Sequence, residues 1–138
     1  MERVLFICGR NSGRSLIAEA YMEQMGADRF EVKSAGLEPA ESANPLVVEV
    51  MKEEGLDLSR KIPQSAFDLF KKGELFTHVI TVCDAETDAN CPVFPGITKR
   101  LNWPFDNPED ARGTAQEKLE QVRNIRDRIK QAITNFLA

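Results

Sequence analysis

The stretch VLFICGRNSGRSLIAEA, residues 4–20, joins an apolar run to a helix-like segment through a short polar loop. The run, residues 4–8, has no polar interruption and ends on Cys8. A short continuous apolar run bounded by a charged start and a Gly-containing loop reads as a buried strand. After the loop, Leu16, Ile17, Ala20 and Met25 fall at helical spacing. Ser12 or Ser15 is expected to open that helix and Gly26 to end it.

Further elements alternate in the same way. Residues 30–35 form a second short strand before Gly36. Asn44 and Pro45 are an N-cap and a first helical residue, with the helix running on until Gly55 stops it. Residues 65–72 read as a short helix and residues 76–82, FTHVITV, as a central strand rich in β-branched residues. Residues 98–103 make a fourth strand. Residues 114–137 make a long amphipathic helix with Leu119, Val122, Ile125, Ile129, Ala132, Ile133 and Phe136 on one face. Strands alternating with helices predict an α/β fold: one three-layer domain over residues 1–138, its four-stranded parallel sheet covered on both sides. Right-handed crossovers bring the loops after the strands to one edge. Cys8, Cys83 and Asp106 follow the first, third and fourth strands and are expected to converge there.

Composition narrows the function. With 18 Lys plus Arg against 22 Asp plus Glu, the net charge is −4, and no basic run stands out. Nucleic acid is not the expected partner. The N-terminal apolar run is too short for a secretory signal or a membrane span, so a cytoplasmic protein with no membrane partner is expected. Three cysteines are a poor disulfide framework; in a reducing compartment they are free, catalytic or metal-bound.

The loop between Cys8 and the helix has the make-up of an anion site. A strand-to-helix loop turns several backbone N–H groups inward at the positive end of a helix dipole. The expected cradle is Gly9, Arg10, Asn11, Ser12, Gly13, Arg14 and Ser15. Gly9 and Gly13 allow tight backbone geometry and Asn11 tolerates positive φ. Arg14 supplies a planar fork suited to a tetrahedral oxyanion. The same field favours the thiolate of Cys8, which would be aimed at the central atom of the bound ion. Ser15 could steady it by a hydrogen bond. The plainer alternative makes Cys8 a small buried residue at a strand end and Arg14 a surface residue.

Cys8-x5-Arg14-Ser15, then Ala18-Glu19, then Ser34-Ala35-Gly36 resemble the low-molecular-weight protein tyrosine phosphatase superfamily, in order over nearly the whole chain. The other cysteines bear on the branch. Cys83 and Cys91 lie in VITVCDAETDANCPVFPG. Together with Cys8 and His78 they would number enough to ligate zinc, but they lack the close pairing of structural zinc ligands, and His78 reads as a strand residue. No metal and no cofactor is expected. A redox reading fits better: a thiolate bonded to an oxidised centre is attacked by a second thiol, and the resulting disulfide by a third. Cys83 and Cys91, eight positions apart, would be roughly 12 Å apart on an intact helix. A disulfide needs Cα atoms within about 7 Å. Forming one is expected to melt the segment between them.

This arrangement resembles the thioredoxin-coupled arsenate reductases, the redox branch of that superfamily. The resemblance implies that arsenate binds Arg14 and the loop amides, that Cys8 attacks arsenic, and that Cys83 attacks Cys8 as arsenite leaves. Cys91 then attacks Cys83, and thioredoxin reduces the Cys83–Cys91 disulfide; glutaredoxin or mycothiol serves some relatives. A monomer is expected. The family's acid is an Asp directly before a Pro. In NWPFDNPED that place holds Asn107, so the role is assigned to Asp106, with Asp110 a weaker candidate. Some relatives bind potassium beside the loop. Asn11, Glu19 and Ser34 match that set in type, but its Asp falls near Gln64, and Asn11, Ser15, Glu19 and Ser34 are instead expected to support the loop by hydrogen bonds. The alternatives are a phosphatase acting through a Cys8 phosphocysteine and a non-catalytic oxyanion binder. Aromatic residues expected around a phosphotyrosine pocket are not evident.

Overall fold

The computed structural model describes residues 1–83, 89–96 and 98–138. The refolding segment expected between Cys83 and Cys91 falls on residues 84–88, outside the described residues.

The apolar run is the strand β1, Glu2–Cys8, and residues 4–7 are fully buried. It pairs in parallel with β2, Phe30–Gly36, on one side and β3, His78–Thr81, on the other. The strand β4, Lys99–Asn102, completes a parallel sheet in the order β2-β1-β3-β4. β1 is therefore an inner strand, which accounts for its unbroken hydrophobicity. β4 is an exposed edge opening on Lys99 and Arg100, charges that discourage pairing with another chain.

Alternate residues of β1 feed two cores. Val4, Phe6 and Cys8 join one cluster with α1, Arg14–Gly26, and α2, Pro45–Lys52; Leu5 and Ile7 join a second beneath α3, Ala66–Lys71. The last helix, α4 (Ala115–Leu137), lays Val122, Ile125, Ile129 and Ile133 into the first cluster. Truncating one such buried Ile to Ala costs about 2–5 kcal/mol in comparable cores.

The helix caps follow the local sequence. Asn44 Oδ1 accepts from the N–H of Leu46 at 2.9 Å, ahead of Pro45. α2 ends at Lys52, and Gly55, at φ 77°, closes the turn after it. Ser65 caps α3, and Thr114 with Glu117 forms a capping box on α4. α1 departs from expectation. Its N-cap is Gly13, with no side-chain cap, because the hydroxyl of Ser15 is engaged with Cys8 and Asn11. It also runs through Gly26, with Ala27 as C-cap.

Polar pairing fastens α4 to α2. Arg123 grips Glu53 through Nε and Nη2 at 2.8–3.1 Å, and Arg126 Nη1 reaches both Glu53 at 2.9 Å and the carbonyl of Val50 at 2.9 Å. Hydrogen bonds from Arg123, then Arg126, hold the Glu53 carboxyl down at about 2, against an ordinary value of 4.5. A depressed carboxylate stabilises the fold above its unfolded pKa and loses that effect as pH falls through the folded one. E53Q is therefore expected to lower Tm at pH 7. The difference from wild type should shrink as pH drops from about 4.5 towards about 2 in thermal melts; a difference unchanged across that window would contradict this account.

Candidate active site

Cys8 is the last residue of β1 and is 2% exposed. The loop after it turns back at Asn11, which has φ 53°. Asparagine accepts the left-handed conformation more readily than most residues, and here its polar groups are fully used. Its N–H donates to Cys8 Sγ at 3.2 Å, and its Nδ2 donates to Ser15 Oγ at 2.8 Å and Ser34 Oγ at 3.0 Å. Its Oδ1 accepts from the N–H of Gln64 at 2.9 Å.

The loop carbonyls are drawn outward. Those of Cys8, Gly9, Arg10 and Ser12 accept from the N–H groups of Leu37, Glu38, Ala40 and Asn44 at 2.8–3.2 Å. In a trans peptide the N–H points opposite to the C=O, so this outward binding turns amide edges towards the thiol. Ser15 Oγ lies 3.0 Å from Cys8 Sγ, as expected. The uncapped N-terminus of α1 adds its dipole. A small pocket of about 20 Å³ opens over the sulfur, lined by Cys8, Arg10, Ser12, Gly13, Arg14, Asn107 and Glu109. Arg14 is 8% exposed and anchored by an Nη1 bond to the carbonyl of Phe105 at 3.0 Å. One edge of its fork is thus fixed to the chain and the rest is left for a ligand. Among the described residues, no aromatic side chain lines the pocket.

The support predicted from Asn11, Ser15, Glu19 and Ser34 forms one connected network. Ser34 Oγ donates to Glu19 Oε1 at 2.9 Å, and Lys61 Nζ reaches the same oxygen at 3.1 Å. Lys61 was not anticipated; it lies far from the motif in sequence and only tertiary folding brings its ammonium to Glu19. Gln64 donates Nε2 to the carbonyl of Ser34 at 2.8 Å and holds Asn11 through its N–H. His78 takes no part. Its ring packs edge-on to Phe30 and Phe136, with centroids 6.0 and 5.3 Å away.

Glycine requirements differ from those expected. A Cβ on Gly9 would meet nothing within 4 Å, whereas one on Gly13 would lie 3.2 Å from Pro108 Cγ. The tightest position is Gly36, where a Cβ would lie 2.7 Å from the N of Asn11 and 2.8 Å from the C of Arg10. The glycine of Ser34-Ala35-Gly36 thus lets β2 pass against the loop backbone.

Cys83 follows β3 and packs in the first core cluster, as Cys8 does. Its Sγ lies 3.9 Å from the carbonyl oxygen of Ile7, the residue before Cys8. Asn102 Nδ2 donates to the carbonyl of Cys83 at 3.1 Å and to Thr81 Oγ1 at 2.8 Å, fixing this strand end. Cys91 is 7% exposed but belongs to the second cluster, with Phe76 and Phe94 on the other face of the sheet. No disulfide joins the three cysteines.

Asp106, the expected acid, is not among the lining residues of the thiol pocket. Asp106 is exposed and lines, with Asp110, a neighbouring cavity of about 260 Å³ that does not include Cys8. Glu109, on the proline turn Pro108–Asp110, is among the residues that line the thiol pocket.

The family model for the low molecular weight phosphotyrosine protein phosphatases matches residues 3–138. An arsenate reductase of Halalkalibacterium halodurans is 37% identical over 134 residues, 96% of this chain and 93% of that protein. A solved arsenate reductase in its oxidised state superposes with a TM-score of 0.81 at 26% identity, covering 98% of this chain and 95% of that one. The thioredoxin-dependent arsenate reductase of Corynebacterium glutamicum superposes with a TM-score of 0.63 at 30% identity, covering 97% of this chain and 62% of that one.

Replacing Gly36 by Ala forces a methyl group against the backbone of Arg10 and Asn11. G36A is expected to lose about 1–3 kcal/mol, as overpacking does, and to weaken inorganic phosphate binding. Denaturant melts and calorimetric titration check both; unchanged binding would show that the loop tolerates the displacement.

Proposed function

The chain belongs to the low molecular weight phosphotyrosine protein phosphatase family, and from that premise we propose that it is an arsenate reductase working by a Cys8–Cys83–Cys91 relay. The observation that carries this reading is the second thiol: Cys83 Sγ stands 3.9 Å from the carbonyl of Ile7, the residue before Cys8, and both cysteines belong to the same core cluster. A phosphatase hydrolyses its phosphocysteine with water and does not require a thiol there, where Cys83 would serve only as redox protection. The pocket's small size and lack of aromatic lining also favour an inorganic oxyanion over an aryl ester.

The chemistry follows from the cradle. Arsenate binds the inward-facing amides and the guanidinium of Arg14, which neutralise its charge. Cys8, as thiolate, attacks arsenic; an As–O bond breaks and its oxygen leaves as water. The thiolate of Cys83 then attacks the sulfur of Cys8. The electron pair of the S–As bond passes to arsenic, reducing As(V) to As(III), and arsenite leaves as the Cys8–Cys83 disulfide forms. Cys91 attacks Cys83, freeing Cys8. Thioredoxin, as dithiol, takes the oxidation from Cys83–Cys91 and becomes a disulfide itself. In this scheme Cys91 has to leave the aromatic cluster under α3, so the exchange includes a local unpacking. The protein works as a monomer in the reducing cytoplasm, where such a reductant is available.

The test is arsenate-dependent NADPH consumption with thioredoxin and its reductase. Wild type is expected to turn over repeatedly. C91S should release about one arsenite per chain and stop, with Cys8 and Cys83 joined in mass spectra; C83S should release none. Sustained turnover by C91S would refute the relay. Phosphotyrosine hydrolysis without arsenate-dependent consumption would return the chain to phosphatase chemistry.

A further inference from the structure

We infer that Glu109 is the proton donor of the first chemical step, a role that rests on the arsenate reductase reading. Asn107, directly before Pro108, is an amide and cannot supply an acid proton. Its Oδ1 is moreover committed to the N–H of Glu109 at 3.0 Å. That bond caps the turn Pro108–Asp110 and sets the direction in which residue 109 leaves it.

Two contacts seat this turn on the oxyanion loop. Pro108 is buried against Gly13, where even a methyl group would come within 3.2 Å of its ring. Arg14 holds the preceding segment through the carbonyl of Phe105 at 3.0 Å. Glu109 consequently lines the pocket over Cys8 together with Arg10 and Arg14. Asp106 and Asp110 line the neighbouring cavity. Among the described residues the Glu109 carboxylate makes no hydrogen bond and no ion pair, although two arginines share its pocket. Glu109 is an exposed residue in the lining of a pocket that also holds two arginines, and a carboxyl there with no structural bond among the described residues is available to a ligand.

The step balances as follows. The Cys8 thiolate forms the S–As bond to hydrogen arsenate, HAsO₄²⁻. The As–OH bond breaks, and its oxygen takes the carboxylic proton of Glu109 and leaves as water. Glu109 is left as carboxylate and is reprotonated from solvent; arsenic remains As(V) until the disulfide step.

E109Q, E109D and D106N in the full chain test this by single-turnover arsenite release, beside calorimetric binding of inorganic phosphate. E109Q is expected to be slower by about 10²–10³-fold, in the range of general acid catalysis. Its phosphate affinity should be equal or higher, because a negative charge has gone from the pocket mouth. E109D should recover most of the rate and D106N should stay within about twofold of wild type, the ordinary latitude of an exposed substitution. Wild-type rates in E109Q, a loss matched by weakened phosphate binding, or a loss in D106N alone would each overturn the assignment. If wild type releases no arsenite, the arsenate reading fails by itself. The same variants are then compared on p-nitrophenyl phosphate, where an acid at Glu109 gives the same loss in E109Q and silence of every variant overturns this inference too.

Discussion

The site depends on the reversal of the chain at Asn11. A left-handed residue in the middle of a loop costs about 1–2 kcal/mol for most side chains, and that backbone shape is what lets the Asn11 N–H reach Cys8 Sγ. Asn11 is held there by bonds to α1 through Ser15, to β2 through Ser34, and to the segment before α3 through Gln64. Each partner comes from a different part of the fold, so the loop is shaped by its surroundings rather than by itself. The outward capture of its carbonyls by residues 37–44 completes the constraint. Amides that must face inward are then ready before any ligand arrives, which is the preorganisation that electrostatic catalysis requires.

The parallel sheet decides how the three thiols stand. Cys8 ends an inner strand and Cys83 follows its neighbour β3, so both reach the same edge of the sheet and the same core. Cys91 packs with Phe76 and Phe94 beneath α3, across the sheet. Under the proposed relay, burial there would keep it from premature exchange with Cys83, and its apolar contacts would be given up in the exchange. The fold thus places the first two thiols in one core cluster and the third in the other.

Much of the fold was legible locally. The buried run before Cys8, the caps at Asn44 and Thr114 and the seam of α4 each depend on residues within a few positions of one another. The supporting quartet Asn11, Ser15, Glu19 and Ser34 was legible too, through the resemblance of its motifs. The misreadings share a cause. Ser15 looked like a helix cap, but its hydroxyl is taken by Cys8 and Asn11. Gly9 was read as allowing tight backbone geometry, yet a side chain there would meet nothing, and Gly36 is where one would collide with the loop. Asp106 was the expected acid because it adjoins the position before Pro108; it lines the cavity beside the thiol pocket, and Glu109 is among the residues lining the thiol pocket itself.

The sequence by itself determined the order of strands and helices, the place of Cys8 between a buried strand and a helix start, and the chemical kind of the loop. Hydrophobic period and capping are short-range, so they can be read along the chain. Tertiary structure alone decided that Lys61 faces Glu19, that Cys91 lies across the sheet from Cys83, and which acidic residue lines the pocket. Those outcomes depend on the packing of segments distant in sequence, where a single turn of backbone moves a charge from one cavity to the next.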